Sequence, residues 1–185
     1  MQKPRGLFVK AFILTGGFGK RLKPITDYVP KPLVPINNIP IIEWQIRYFK
    51  KFGVKEFVIC SGYKNEQIKN YLEAKKNLGT TIHYSVEKNS LGTGGAIKNA
   101  IRFIDESNFF VMNGDTITDL DPRQLQSKPN SIAVVPLRTA FGIVDIIHDK
   151  IVRFYEKPTL SEHWMNAGIY YLSKEITKYL PKKGN

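Results

Sequence analysis

The stretch VKAFILTGGFGKRLKPITDYVPKPLVPI, residues 9–36, carries the pattern on which the fold turns. Val9 to Leu14 is a short apolar run that ends in glycines, which predicts a buried strand feeding a loop. Pro24, Pro30, Pro32 and Pro35 then forbid a regular helix, so Thr15 to about Ile39 is expected as one long loop. A loop of that length inside a compact chain is usually functional. Gly16, Gly17 and Gly19 leave backbone amides unobstructed by side chains, and Lys20 and Arg21 follow as fixed cations, which makes a phosphate cradle in type. It is not a P-loop, because Leu14 stands where the first glycine belongs and Arg21 where a magnesium-binding Ser or Thr belongs. It also fails the dinucleotide fingerprint, with Leu22 in place of the third glycine and prolines where a helix should open. Alone, the three glycines are equally compatible with a plain turn.

Outward from this stretch, strands and helices alternate. Ile41, Ile42, Trp44, Gln45, Ile46, Tyr48 and Phe49 fit a helix ended near Gly53, and Phe57 to Cys60 form the next strand. Asn65 to about Lys76 reads as a helix, Thr81 to Val86 as a strand, Gly95 to Phe103 as a helix opened by glycines, and Phe109 to Met112 as a strand. This order predicts an α/β fold: a Rossmann-like, doubly wound, mixed but mostly parallel sheet with helices on both faces. Beyond Asp115 the character changes. Ile132 to Leu137, Ile143 to Ile147 and Ile151 to Tyr155 read as closely spaced strands, with a hairpin turn at His148, Asp149 and Lys150, giving a small antiparallel part. Ala167 to Leu172 is a last strand and Lys174 to Leu180 a short final helix. Ligands of doubly wound sheets sit outside the carboxyl ends of the strands, where the glycine loop, the glycines before the third helix and the residues after Met112 all fall.

At 185 residues and 42% hydrophobic content, the chain can bury one full core. The apolar run near the start, from Leu7 and Phe8 to Leu14, is broken by Lys10 and falls short of the roughly 20 residues of a membrane span. No small-x-small cleavage site follows it, so a signal peptide is not supported. The single cysteine, Cys60, makes no internal disulfide, and a reducing, cytoplasmic setting is expected. The net charge of +12 points to anionic partners. Lysines such as Lys50, Lys51, Lys64, Lys69, Lys75 and Lys76 are scattered over helix faces rather than interleaved with aromatics, so a nucleic-acid groove is not expected. His83, His148 and His163 lack metal-ligand spacing, and no Ser-His-Asp order is visible.

The longer segment LTGGFGKRLKPITDYVPKPLVPINNIPII, residues 14–42, resembles the signature of the sugar-1-phosphate nucleotidyltransferases: a double-glycine loop, then Gly-Thr-Arg, then Pro-Lys-Pro. Further pieces fall in family order: SLGTGGAI at 90–97, NGD at 113–115, FGIV at 141–144, EKP at 156–158 and NAGIY at 166–170. Within the family the chain looks most similar to guanylyltransferases for mannose 1-phosphate or related hexose and heptose phosphates. The resemblance implies one domain over 1–185, with a nucleotide-binding half at 1–115 and a sugar-phosphate half at 116–185. It implies that a nucleoside triphosphate, GTP favoured, condenses with a hexose 1-phosphate, mannose 1-phosphate favoured, and releases pyrophosphate.

By that resemblance Arg21 grips the triphosphate, Lys31 holds phosphate near the reacting centre, and Lys157 bridges the sugar phosphate and the α-phosphate. With Asp115, the ligand for Mg2+, these form the catalytic set. Leu14, Gly16, Gly17, Gly19, Lys20, Glu87, Gly92 and Thr93 are the nucleotide-binding positions, and Gly142, Glu156 and Asn166 the sugar-contacting ones. Each also has a purely structural reading: Lys31 as an exposed loop lysine, Lys157 as strand-end solvation, Glu87 as a surface glutamate beside Lys88, Gly142 as a strand bend and Asn166 as a turn residue. Asp119 and Asp121 read as turn and helix-cap residues before Pro122. Glu87 stands where uridylyl and thymidylyl members carry a base-reading glutamine. A carboxylate offers acceptors only, which suits the adjacent N1 and N2 donors of guanine.

Two departures stand out. Lys20 replaces the family's Thr or Ser, and the chain ends at Asn185 before the second metal-binding aspartate of the family, so the sugar half is expected to be either shortened or served by other ligands. The alternatives are a glucose-1-phosphate thymidylyl- or uridylyltransferase and a non-catalytic regulatory domain of the same fold. No membrane partner is expected, and a homo-oligomer is compatible with the reading.

Overall fold

The computed structural model describes residues 9–184. Leu7 and Phe8 of the opening apolar run lie outside the described residues. The parallel part of the main sheet comprises β1 (Ala11–Thr15), β4 (Glu56–Ser61), β5 (Thr81–Val86) and β6 (Asn108–Asn113). Two longer strands complete the sheet, β7 (Ser131–Arg138) and β10 (Thr159–Ser173), in the order β5-β4-β1-β6-β10-β7. β1 pairs in parallel with β4 and β6, β4 pairs in parallel with β5, and β10 runs antiparallel to both β6 and β7. The expected mixed, mostly parallel sheet is therefore present.

β1, β4 and β6, three of the inner strands, are largely apolar and buried because both faces are covered. Ala11, Ile13, Phe57, Ile59, Phe110 and Met112 point to one side, where they pack with Ile42, Ile46 and Phe49 of α2 (Ile41–Lys51) and Ile68 and Leu72 of α3 (Asn65–Ala74). The alternate residues Phe12, Val58, Cys60, Phe109 and Val111 face Ala96, Ile97 and Ala100 of α4 (Gly92–Ala100). A period of two along each strand divides the side chains between two helical layers. Helix α2 ends where expected: Gly53 takes φ of 98°, a conformation open to glycine but strained for other residues.

The proline-rich loop is more structured than its composition suggests. It holds 3-10 turns at Lys20–Leu22 and Lys31–Leu33, the four-residue helix α1 (Ile25–Tyr28), and a hairpin of β2 (Pro35–Ile36) with β3 (Ile39–Pro40). Short turns of this kind coexist with proline because Pro sits at their opening positions, where its missing N–H is not needed. Helix α4 begins at Gly92, three residues before the expected Gly95. The chain segment from Pro181 to Gly184 lies against its glycines, and a Cβ on Gly95 would come within 2.9 Å of the Lys182 carbonyl oxygen. The second hairpin, β8 (Ile143–Ile147) with β9 (Lys150–Tyr155), turns through His148 and Asp149, both with positive φ as a tight type I′ connection demands. Between β6 and β7, Asp121 accepts from the backbone N–H of Arg123 at 3.0 Å just ahead of α5 (Arg123–Gln126), whose cap position is held by Pro122 rather than by Asp121. Among the described residues no helix is long and apolar enough to cross a membrane.

Candidate active site

The chain passes outward from β1 to β4 and β5, then returns across the sheet to β6 on the other side of β1. That reversal opens a crevice at the carboxyl ends of β1 and β6. A cleft of about 360 Å3 lies there. Leu14, Thr15, Gly16, Gly17 and Gly19 line it from the end of β1; Asn113, Gly114 and Asp115 from the end of β6; and Glu87, Ser90, Gly92 and Thr93 from the connection between β5 and α4. Arg21, Lys31 and Pro32 close it from the proline-rich loop. A side chamber of about 250 Å3 shares Gly16, Glu87 and Ser90 with the cleft and is walled by Phe18, Gly62 and Tyr63.

Close approach of the backbone explains Gly114, and a positive φ under the Thr26 side chain explains Gly19. Gly114 donates its N–H to the Leu14 carbonyl at 2.9 Å, and a Cβ added to it would stand 2.5 Å from that same oxygen. The Gly114→Ala variant must therefore push the β1 and β6 ends apart, at an expected cost of about 1–3 kcal/mol. Urea unfolding checks the loss, and turnover should fall with it because Asp115 is the next residue. Gly19, with φ of 63°, lies under Thr26, whose hydroxyl donates to the Gly19 carbonyl at 3.0 Å. Tyr63 in turn donates to the Thr26 carbonyl at 3.1 Å, Lys64 donates to the carbonyls of Asp27 and Tyr28 at 2.6 and 3.0 Å, and the Phe18 and Tyr63 rings meet at 5.2 Å. The residues after β4 thus clasp the glycine loop from behind.

Lys31 is aimed by its neighbours. Pro30 and Pro32 are buried, and the 3-10 turn closes through the Leu33 N–H onto the Pro30 carbonyl at 2.8 Å. From this pinned backbone the Lys31 ammonium reaches across to form an ion pair with the Asp115 carboxylate. Arg21 lines the same cleft and is exposed to solvent.

Glu87 is half-buried. Its Oε2 accepts the Leu91 N–H at 2.8 Å, and its Oε1 lies 2.9 Å from the point where a Cβ on Gly16 would stand. A side chain at position 16 would collide with this carboxylate, so the glycine is what lets Glu87 reach the cleft. Burial pushes the Glu87 carboxyl above its ordinary range, against the stabilising pull of the Leu91 N–H.

Other sequence-predicted positions sit elsewhere. Lys20 occupies the turn beside Arg21 but is not part of the cleft wall. Gly142, Glu156, Lys157 and Asn166 belong to the antiparallel part and lie outside the lining of the cleft. Gly142 is packed under Phe154, 2.6 Å from where its Cβ would be, and Asn166 accepts the Gly168 N–H at 2.7 Å and donates to the Tyr170 hydroxyl at 2.6 Å. Lys157 and Glu156 are both exposed and approach each other at 3.6 Å. Sequence reasoning assigned no role to Thr15, Phe18 and Ser90, although they lie within its motifs, nor to Tyr63, which lies in none, and it placed Gln45 among the apolar positions of α2.

Among the described residues no group of three or more His, Cys, Asp or Glu is disposed to hold a metal. A single carboxylate ligand still fits magnesium, a hard ion that takes one or two carboxylates and completes its shell with substrate phosphates and water. Asp115 is such a carboxylate, its side chain 40% exposed and beside a cation-lined cleft.

The chain belongs to the nucleotidyl transferase family, whose model matches residues 10–184. The resemblance read from the sequence is thereby borne out, and the chain is an enzyme of the nucleotidyltransferase class. It is 39% identical over 173 residues to a D-glycero-alpha-D-manno-heptose 1-phosphate guanylyltransferase of Campylobacter jejuni, covering 91% of this chain and 77% of the relative. It is 33% identical over 192 residues to a mannose-1-phosphate guanyltransferase of Debaryomyces hansenii, covering 95% of this chain and 52% of that protein. The crystal structure of HddC from Yersinia pseudotuberculosis complexed with GMP-PN superposes with a TM-score of 0.75 at 32% identity, over 95% of this chain and 82% of HddC.

Proposed function

We propose that this enzyme transfers the guanylyl group of GTP to a manno-configured sugar 1-phosphate and releases pyrophosphate. The observation that carries the proposal is the half-buried Glu87 carboxylate, set in one cleft with Arg21, Lys31 and Asp115. The names of the guanylyltransferase relatives support the same base, and the heptose and mannose in those names share the manno ring.

An oxygen of the sugar phosphate attacks the α-phosphorus of GTP, the bond from that phosphorus to the bridging oxygen breaks, and pyrophosphate departs with the electron pair. Both partners are anions, so their repulsion must be neutralised before they meet. Arg21, with Lys20 beside it, faces the triphosphate over the amides of Gly16, Gly17 and Gly19. Lys31 moves from Asp115 to a phosphate oxygen once substrate arrives. Asp115 would hold a divalent metal, Mg2+ by the chemistry of an oxygen ligand, and that ion would supply charge neutralisation to the phosphates. The guanine edge donates N1–H and N2–H to Glu87, while Leu14, Gly92 and Thr93 frame the nucleoside. The antiparallel half, residues 116–185, supplies the sugar: Gly142 admits the ring, Glu156 and Asn166 bond its hydroxyls, and Lys157 reaches the sugar phosphate.

Product formation from GTP with a panel of sugar 1-phosphates tests the sugar. Manno-heptose 1-phosphate and mannose 1-phosphate are expected to be used, and equal use of glucose 1-phosphate would rule out selection for the manno ring.

A pH dependence follows from Glu87. A carboxyl whose folded pKa is raised binds its proton more readily folded than unfolded, so that contribution to stability is present at low pH and fades as pH rises through the raised pKa. Guanine, however, needs the ionised form. The KM for GTP is expected to climb as pH falls toward the carboxylate range, with an apparent pKa above the ordinary glutamate value of about 4.3. Steady-state kinetics across pH check it.

A further inference from the structure

The buried face of α2 carries Ile41, Ile42, Ile46 and Phe49 together with the amide of Gln45. Gln45 is only 4% exposed. Its Nε2 donates to the Asn113 carbonyl at 2.7 Å and to the Thr116 carbonyl at 2.8 Å. Those two carbonyls bracket Gly114 and Asp115, and the turn between them is closed by the Thr116 N–H on the Asn113 carbonyl at 3.1 Å. One side chain from a helix thus ties down both ends of the turn that presents Asp115.

At its other end the amide is poorly served. Gln45 Oε1 is buried and has no hydrogen-bond partner among the described residues. The residue helps wall a cavity of about 180 Å3 whose neighbours there include Phe49, Met112 and Ile169. An apolar side chain of similar length would fill this place without leaving an orphaned acceptor, so packing alone does not account for glutamine. Its two donors do. They matter most once substrate binds: with Lys31 drawn to a phosphate, Asp115 loses its ion-pair partner, and the carboxylate is held only as firmly as its turn.

We infer that Gln45 is a positioning residue, fixing the Asp115 turn so that its carboxylate meets the metal in a productive place. The inference rests on the proposed role of Asp115. Partners that orient a metal ligand are commonly worth about ten- to a hundredfold in metal affinity or activity.

The test is Mn2+ binding to the full chain in the presence of GTP and without sugar phosphate, read by water-proton relaxation enhancement. Gln45→Met is expected to fold and to bind Mn2+ about tenfold more weakly, while the KM for GTP stays nearly constant. If Gln45→Met does not fold, Gln45→Glu carries the same readout, since it keeps the size and, when ionised, lacks both donors. Unchanged Mn2+ affinity in the folded variant overturns the inference. Asp115→Asn is measured alongside: if it loses Mn2+ and Gln45→Met does not, only the positioning role fails, whereas Mn2+ retained by Asp115→Asn overturns the metal reading beneath it.

Discussion

Replacing Asp115 with asparagine is expected to lower turnover by about a thousandfold while leaving the fold in place. Asparagine keeps the shape of the side chain, and the turn around it is held by the Leu14 carbonyl and the side-chain amide of Gln45, neither of which touches the carboxylate. What disappears is the anionic oxygen that, on the proposed function, would hold the metal. Such neutralisation is worth several kcal/mol, and about 4 kcal/mol corresponds to a thousandfold in rate. Pyrophosphate release measures the loss, and a circular dichroism melt that matches the parent separates it from unfolding. A variant that keeps about a tenth of its turnover or more would remove Asp115 from the machinery.

Glu87→Gln is expected to invert the base preference. Glutamine presents one acceptor and one donor face, which matches the mixed edge of uracil or thymine and leaves one guanine donor without a partner. An unpaired buried polar group costs about 1–3 kcal/mol, so kcat/KM for GTP should fall roughly ten- to a hundredfold. Utilisation of UTP or dTTP should rise at the same time. The amide can keep the contact with the Leu91 N–H through its oxygen, so the loop stays in place and the change is confined to recognition. Triphosphate competition assays on the pair of proteins check this, and an unchanged base profile would refute the guanine assignment.

Much of the architecture was legible because buried parallel strands advertise themselves. Phe12 to Leu14, Phe57 to Cys60 and Phe109 to Met112 are short runs apolar on both faces, as strands covered on both sides are. Polar strands are harder. β10 was expected over Ala167 to Leu172 but begins at Thr159, since Ser161, Glu162 and His163 give no apolar pattern and that stretch is held by pairing with β7 across two irregularities. The prolines predict no regular helix in their loop, yet it holds the four-residue α1 (Ile25–Tyr28), whose carbonyls at Thr26, Asp27 and Tyr28 are held by Tyr63 and Lys64, residues distant in sequence.

The site divides in the same way. Gly16, Arg21, Lys31, Glu87 and Asp115 come from separate parts of the chain and line one cleft, an arrangement that follows from strand order once the sheet is known. Gln45 was invisible for a simple reason: a polar residue among isoleucines and aromatics was counted with the apolar face, when its polarity was the signal. Gly142, Glu156, Lys157 and Asn166 have motif support, but their geometry is that of an open antiparallel surface, and their roles rest on the proposed function.

The most direct measurement is pyrophosphate release from the purified chain with Mg2+, manno-heptose 1-phosphate and each nucleoside triphosphate in turn. The account predicts release that requires the sugar phosphate and is fastest with GTP. Folded protein that yields no pyrophosphate from any pairing, or that prefers another triphosphate, would contradict it.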